Sequence, residues 1–251
     1  MFKKLLLNTL FLSTISHAYI NLEPPVIGEK EGSEIDVALG AVYNSGNTDS
    51  LAASFSGKGQ YNQKEWLTYL IATYNYGEVN ELKDSNNGLI HLRYVHEITD
   101  TVYDYEFFLQ AEFNEFQDIK SRNLAGANIR RDFSNDFFDK LYVGLGLFYS
   151  YMEPDVITEI DPIYERVKLN SYISLLKKVT ENFSITYLGY YQPYVEDFSD
   201  YRIFQVLQLR TAITEKTALS FDIQHKYNAT PYHNVEKTDI HSTINLQYKF
   251  K

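Results

Sequence analysis

The sequence predicts an all-β fold: a transmembrane, antiparallel up-and-down β-barrel of about twelve strands, preceded by a cleavable signal peptide. Three observations predict it. Apolar and polar residues alternate with period two in segment after segment, each close to the length that crosses a bilayer when tilted. Aromatic residues are abundant, with 22 Tyr and 16 Phe in 251 residues, and many sit toward the segment ends, as in an interfacial girdle. The N-terminus has the layout of a secretory leader.

The leader comes first. Phe2-Lys3-Lys4 is a short basic region, and Leu5 to Ile15 is an apolar run broken only by Asn8, Thr9, Ser13 and Thr14. Ser16-His17-Ala18 fits a small-x-small cleavage site. Residues 1–18 therefore read as a signal peptide, since the run is shorter than the ~20 residues of a membrane-spanning helix. Residues 19–32 are expected as an N-terminal periplasmic segment and 33–251 as the barrel. No later apolar run is long enough for a spanning helix.

The strands follow in order at about 33–44, 50–61, 66–76, 88–98, 102–114, 122–132, 141–151, 164–177, 183–193, 201–213, 217–227 and 239–250. In the first, Ile35, Val37, Leu39, Ala41 and Tyr43 share a face. In the fifth, Tyr103, Tyr105, Phe107, Leu109, Ala111 and Phe113 do so. Leu141 to Tyr151, Leu219 to Tyr227 and Ile240 to Phe250 repeat the pattern. Side chains on a strand point to opposite faces in turn, so each segment has an apolar and a polar side. The segments at 66–76 and 183–193 alternate poorly. Links near 62–65, 99–101, 178–182 and 214–216 are short. Those at 77–87, 152–163, 194–200 and 228–238 are longer and polar, and 133–140 is a longer link where a short one belongs. Short turns at one end and long loops at the other predict both termini in the periplasm. A soluble barrel would put the apolar face inside. The clean apolar face, the placement of the aromatics and the ending Ile244-x-Leu246-x-Tyr248-x-Phe250 favour the inverted, membrane arrangement. Lys251 departs from a terminal aromatic.

The run Ser45-Gly46-Asn47-Thr48-Asp49 falls between the first two strands. It lacks the lysine and helix of a phosphate loop and the alternating acids of a calcium loop. Gly-Asn and Asp are turn formers, so a hairpin turn is expected.

A net charge of -10 disfavours nucleic acid as a partner. The absence of cysteine removes disulfides, thiolate metal sites and thiol nucleophiles. His91, His96, His225, His233 and His241 are scattered. His241 and Ser242 are adjacent and so point to opposite faces, away from the convergence a hydrolase needs. No metal-ligand spacing stands out. Neither enzymatic activity nor a cofactor or metal is expected.

"LGAVYNSGNTDSLAASFSGKGQY" (39–61), "WLTYLIATYNYGE" (66–78) and "YYQPYVEDFSDYRI" (190–203) resemble the salt-induced outer-membrane protein family, the bacterial domain-of-unknown-function family 481. The Ser-Gly-Asn-Thr stretch carries most of the resemblance. It implies a Gram-negative outer-membrane barrel and a link to salt or osmotic response. It implies no functional residue.

The polar face supplies the candidate site. Arg93, Asp104, Glu106, Glu112, Arg122, Arg130, Arg166, Lys168, Arg202 and Arg210 are expected to line the lumen. The acid-rich fifth segment lies between segments carrying Arg93 and Arg122 or Arg130, so opposite charges pair across the ladder. Such pairs either close the lumen as a rigid post or line a narrow wet channel. The loop acids Glu78, Glu81, Asp84, Glu153, Asp155, Glu159, Asp161, Glu196, Asp197 and Asp200 read as solvated charge, or as sites where divalent cations bridge to lipid head groups. The expected role is a narrow passive channel or a structural envelope protein. Its partners are outer-membrane lipids including lipopolysaccharide, and the barrel assembly machinery during biogenesis. A lipid-modifying enzyme and a soluble periplasmic barrel are the alternatives.

Overall fold

The computed structural model describes residues 24–46, 49–214 and 217–248, with the backbone alone at 38 and 245–248. The leader at 1–18 and the terminal Phe250-Lys251 lie outside the described residues. Twelve strands form one antiparallel sheet in which each pairs with the next. They are β1 (Gly32–Asn44), β2 (Ser50–Asn62), β3 (Trp66–Val79), β4 (Leu82–Glu97), β5 (Tyr103–Asn114), β6 (Ile119–Asp132), β7 (Lys140–Glu153), β8 (Tyr164–Lys178), β9 (Phe183–Pro193), β10 (Tyr201–Ala212), β11 (Thr217–Asn228) and β12 (Thr238–Tyr248). No helix is long and apolar enough to cross a membrane among the described residues.

The meander rolls up. Side chains from β4 and β5 reach those of β8 and β9, as Arg93 does Tyr190 and Glu106 does Tyr172. The β5–β6 turn reaches β12 through Gln117, which donates to Asp239. No ladder joins β1 to β12 among the described residues. Both terminal strands leave their free ends at one end of the roll, here the terminal end; the other is the far end.

Polarity is inverted relative to a soluble core. Leu39 is 79% exposed and Ile244 67%, and Ile90, Phe107, Leu109, Leu145 and Leu147 share that outer surface. Arg93, Glu106, Arg122, Arg130, Lys168, Asn170 and Gln208 are buried on the concave face. The poor alternation of β3 has a physical cause. Its inward side carries Leu67, which is fully buried beside Val95, as well as Tyr69 and Ile71, so both faces are apolar.

The links differ from expectation in one respect. The expected loop at 77–87 is a two-residue turn: Val79 pairs with Leu82, and Asn80 and Glu81 both have positive φ. This is the geometry of a tight hairpin. Apart from Val79 and Leu82, the flanking strand ends carry polar residues on both faces, so no alternation is visible in sequence. Only 154–163, 194–200 and 229–237 are long at the far end; 45–49, 80–81 and 115–118 are short there. The length asymmetry therefore holds for the second half of the chain alone.

The turn after β1 reverses the chain as expected, with Asn44 opposite Ser50. Gly46 N–H donates to Asp49 Oδ1 at 3.0 Å. Asp49 also clasps the next turn: its N–H donates to Asn80 Oδ1 at 3.1 Å, and its carbonyl accepts from Asn80 N–H at 2.7 Å. At the terminal end, residues 24–29 cross the roll as a strap. Asn62 donates to the Val26 carbonyl at 2.9 Å and accepts from Gly28 N–H at 3.0 Å. Lys140 pairs with Glu29 at 2.8 Å.

Candidate functional site: the barrel interior

The register brings the inward residues of β4 to β9 into rows. One row runs Glu106, Asn128, Gly146, Asn170 across β5, β6, β7 and β8. Glu106 is 1% exposed and collects donors: Tyr172 Oη at 2.8 Å, Asn128 Nδ2 at 3.0 Å, Arg93 Nη1 at 3.6 Å and Arg130 Nη1 at 3.9 Å. Asn170 donates to Asn128 at 3.0 Å and accepts from Gln192 at 2.9 Å. Asn128 reaches Asn170 because Gly146 lies between them without a side chain. A Cβ there would run into the Ala127 carbonyl and the Asn128 amide.

Arg93 closes the network across the roll. Its Nη2 donates to Tyr190 Oη at 3.1 Å, and its guanidinium lies 5.5 Å from the ring centres of both Phe108 and Tyr172. Arg130 donates to Asp104 at 2.5 Å, stacks 4.2 Å over Tyr142 and touches the Pro25 carbonyl of the strap at 3.5 Å. Within this network Asp104 and Glu106 each have a cation, and Arg93 and Arg130 each meet an acid and an aromatic face. A buried ion pair needs its remaining polar atoms satisfied, and here most are; Arg93 Nε is an exception. The network spans the middle of the roll from β4, β5 and β6 to β8 and β9.

The far half is open. A cavity of about 470 Å³ extends from a floor of Tyr69, Arg93, Phe108 and Tyr190 to a wall formed by Arg122, Arg202, Lys226 and Asp239. His91 lines it, hydrogen-bonded to Gln110 at 3.0 Å and stacked on Phe108. His241 and Thr243 also line it. Glu112 receives Arg122 at 2.5 Å. Arg166 and Lys168, the latter at 2.9 Å, both bind Asp200. Arg210 lies away from this cavity, toward the terminal end, half-buried on the inward face of β10 opposite Ser220.

Asp200 corrects the sequence reading of loop acids. It is not solvated: it is 3% exposed, turned inward and bound by Arg166, Lys168 and Thr230. Nothing in a polar loop of alternating acids marks one of them as buried. The tyrosines Tyr69, Tyr172 and Tyr190 were also not among the expected lumen residues. For Tyr69 and Tyr190 the poor alternation of their segments, 66–76 and 183–193, was the available sign; Tyr172 had none. No group of three or more His, Asp or Glu is placed to hold a metal among the described residues.

A family model described as "Protein of unknown function, DUF481" matches residues 37–250. The chain belongs to the DUF481 family. The resemblance of 39–61, 66–78 and 190–203 pointed to the same family. Among solved structures, this DUF481 protein is similar to the NanC porin in its rhombohedral crystal form, with 10% identity and a TM-score of 0.49. That alignment covers 85% of this chain and 99% of the porin. No curated protein matches.

Proposed function

We propose that this DUF481 protein is an outer-membrane β-barrel, closed by β1 against β12, with both termini in the periplasm and its far end outside. Its apolar belt meets the outer-membrane lipids, including lipopolysaccharide. Its role is passive: a narrow, normally closed pore or a structural envelope protein. The observation that carries this reading is the inverted polarity, with Leu39, Phe107, Leu145 and Ile244 exposed while Arg93, Glu106 and Lys168 are buried. Lipid, rather than water, is the solvent such an outer surface suits. The side-chain network that crosses the middle of the roll supports a closed resting state over an open porin.

Two measurements test this. Detergent-extracted protein should shift in migration between unheated and boiled samples, as a folded barrel does. In planar bilayers the same protein should show little steady current. Extraction without detergent as a soluble monomer would overturn the membrane reading. A large, stable conductance would overturn the closed state.

A further inference from the structure

The two halves of the interior are charged differently, and the far half is out of balance. Arg122, Arg166, Lys168 and Arg202 all bound one small void of about 10 Å³, enough for about one water. These four cations share two carboxylates, Glu112 and Asp200. Arg202 has no carboxylate within 4.0 Å of its guanidinium among the described residues. Its one close acceptor is Met152 Sδ at 3.0 Å, a weak acceptor. Asp222, Glu236 and Asp239 line the same cavity, but from β11, the 229–237 loop and β12; Asp239 is engaged by Gln117. At the floor, Arg93 Nε is a buried donor with no acceptor.

Arginine does not shed its proton, so a sheltered guanidinium stays charged and calls for a counter-charge. Its planar fork matches carboxylate and phosphate oxygens. The cavity offers this fork beside Arg122 and above an aromatic floor, in a volume within the usual range for small-molecule sites. We propose that the far-half cavity is a binding site for a small anionic solute, held at its carboxylate or phosphate group by Arg202 and Arg122. The proposal rests on the barrel reading above, since that reading makes this face a lumen.

The test uses the full chain, expressed in an outer membrane and extracted in detergent. Thermal unfolding is followed at constant ionic strength with three probes: gluconate, glucose and inorganic phosphate. Gluconate and glucose are of similar size and differ chiefly in the carboxylate. Gluconate, phosphate or both should raise Tm saturably, and glucose should not. A response to phosphate alone assigns an inorganic anion; a response to gluconate assigns an organic one. Arg202→Gln should weaken the responding anion by about tenfold or more, the worth of a charged hydrogen bond. Arg202→Lys should keep a measurable response. No saturable shift with either anion, an equal shift with glucose, or an undiminished shift in Arg202→Gln would overturn the proposal. If Arg202→Gln fails to fold, the gluconate–glucose difference in the unaltered protein still decides. Heat-dependent migration of the same sample separates this failure from failure of the barrel reading.

Discussion

The terminal and far halves of the interior use the same residue types to opposite ends. In the terminal half, Arg93, Arg130, Asp104 and Glu106 meet one another and a set of tyrosines and asparagines. In the far half, Arg122, Arg166, Lys168 and Arg202 outnumber their acids, and a cavity stands open. Buried charge by itself therefore says little about role. Balance and packing decide whether arginines brace a wall or wait for a ligand.

The contrast can be broken most directly at Glu106. Glu106→Ala leaves Arg93 without a carboxylate and Arg130 with Asp104 alone. We expect a loss of about 3–5 kcal/mol in denaturant unfolding, the usual result of removing one partner of a buried pair. The same change should raise bilayer current, since it removes the network's hub. Gly146→Ala comes next. Its methyl would meet backbone on β6, so the amide chain through Asn128 must separate, at a cost of about 1–3 kcal/mol by the same unfolding measurement. Asp49→Ala removes the side-chain acceptor of Gly46 N–H in an exposed turn. A loss of about 0.5–1.5 kcal/mol is expected.

Arg202→Gln sharpens the comparison through its sign. Without added anion it should leave stability unchanged or raise it by up to ~1 kcal/mol, because it relieves unbalanced positive charge. A destabilisation like that of Glu106→Ala would show the far half to be as balanced as the terminal half. The smallest effect lies in the far-end turn. Hydrogen bonds from Lys83 and Asn86 hold the Glu115 carboxyl below the usual carboxylate range. A lowered folded pKa means that this contribution is present above the unfolded value near 4.5 and lost as pH falls through the folded one. Glu115→Gln should lower stability slightly at pH 7 and flatten the profile below pH 4.5, where the unaltered protein loses this contribution.

Much of the architecture is legible in the chain, because strands with a continuous apolar outer face must keep a strict apolar row. Ile35 to Tyr43 and Tyr103 to Phe113 declare themselves for that reason. Where a strand projects past the apolar belt, as at Glu78 to Asn87, both faces carry polar residues and the pattern fails. The tight turn at Asn80-Glu81 is hidden with it. Inside the roll, the expected ion pairs at Asp104–Arg130 and Glu112–Arg122 follow from neighbouring strands. Contacts across the lumen do not. Arg93 with Tyr190, and Lys168 with Asp200, depend on how tightly the sheet curls, and local alternation carries no record of that.

The strap at 24–29 has a consequence for the order of events in folding. Its partners Asn62, Arg130 and Lys140 all lie later in the chain, on β2, β6 and β7. The stretch that leaves the ribosome ahead of every strand can settle only after those strands have met. It is synthesised early and fastened late, like a drawstring pulled once the bag is sewn.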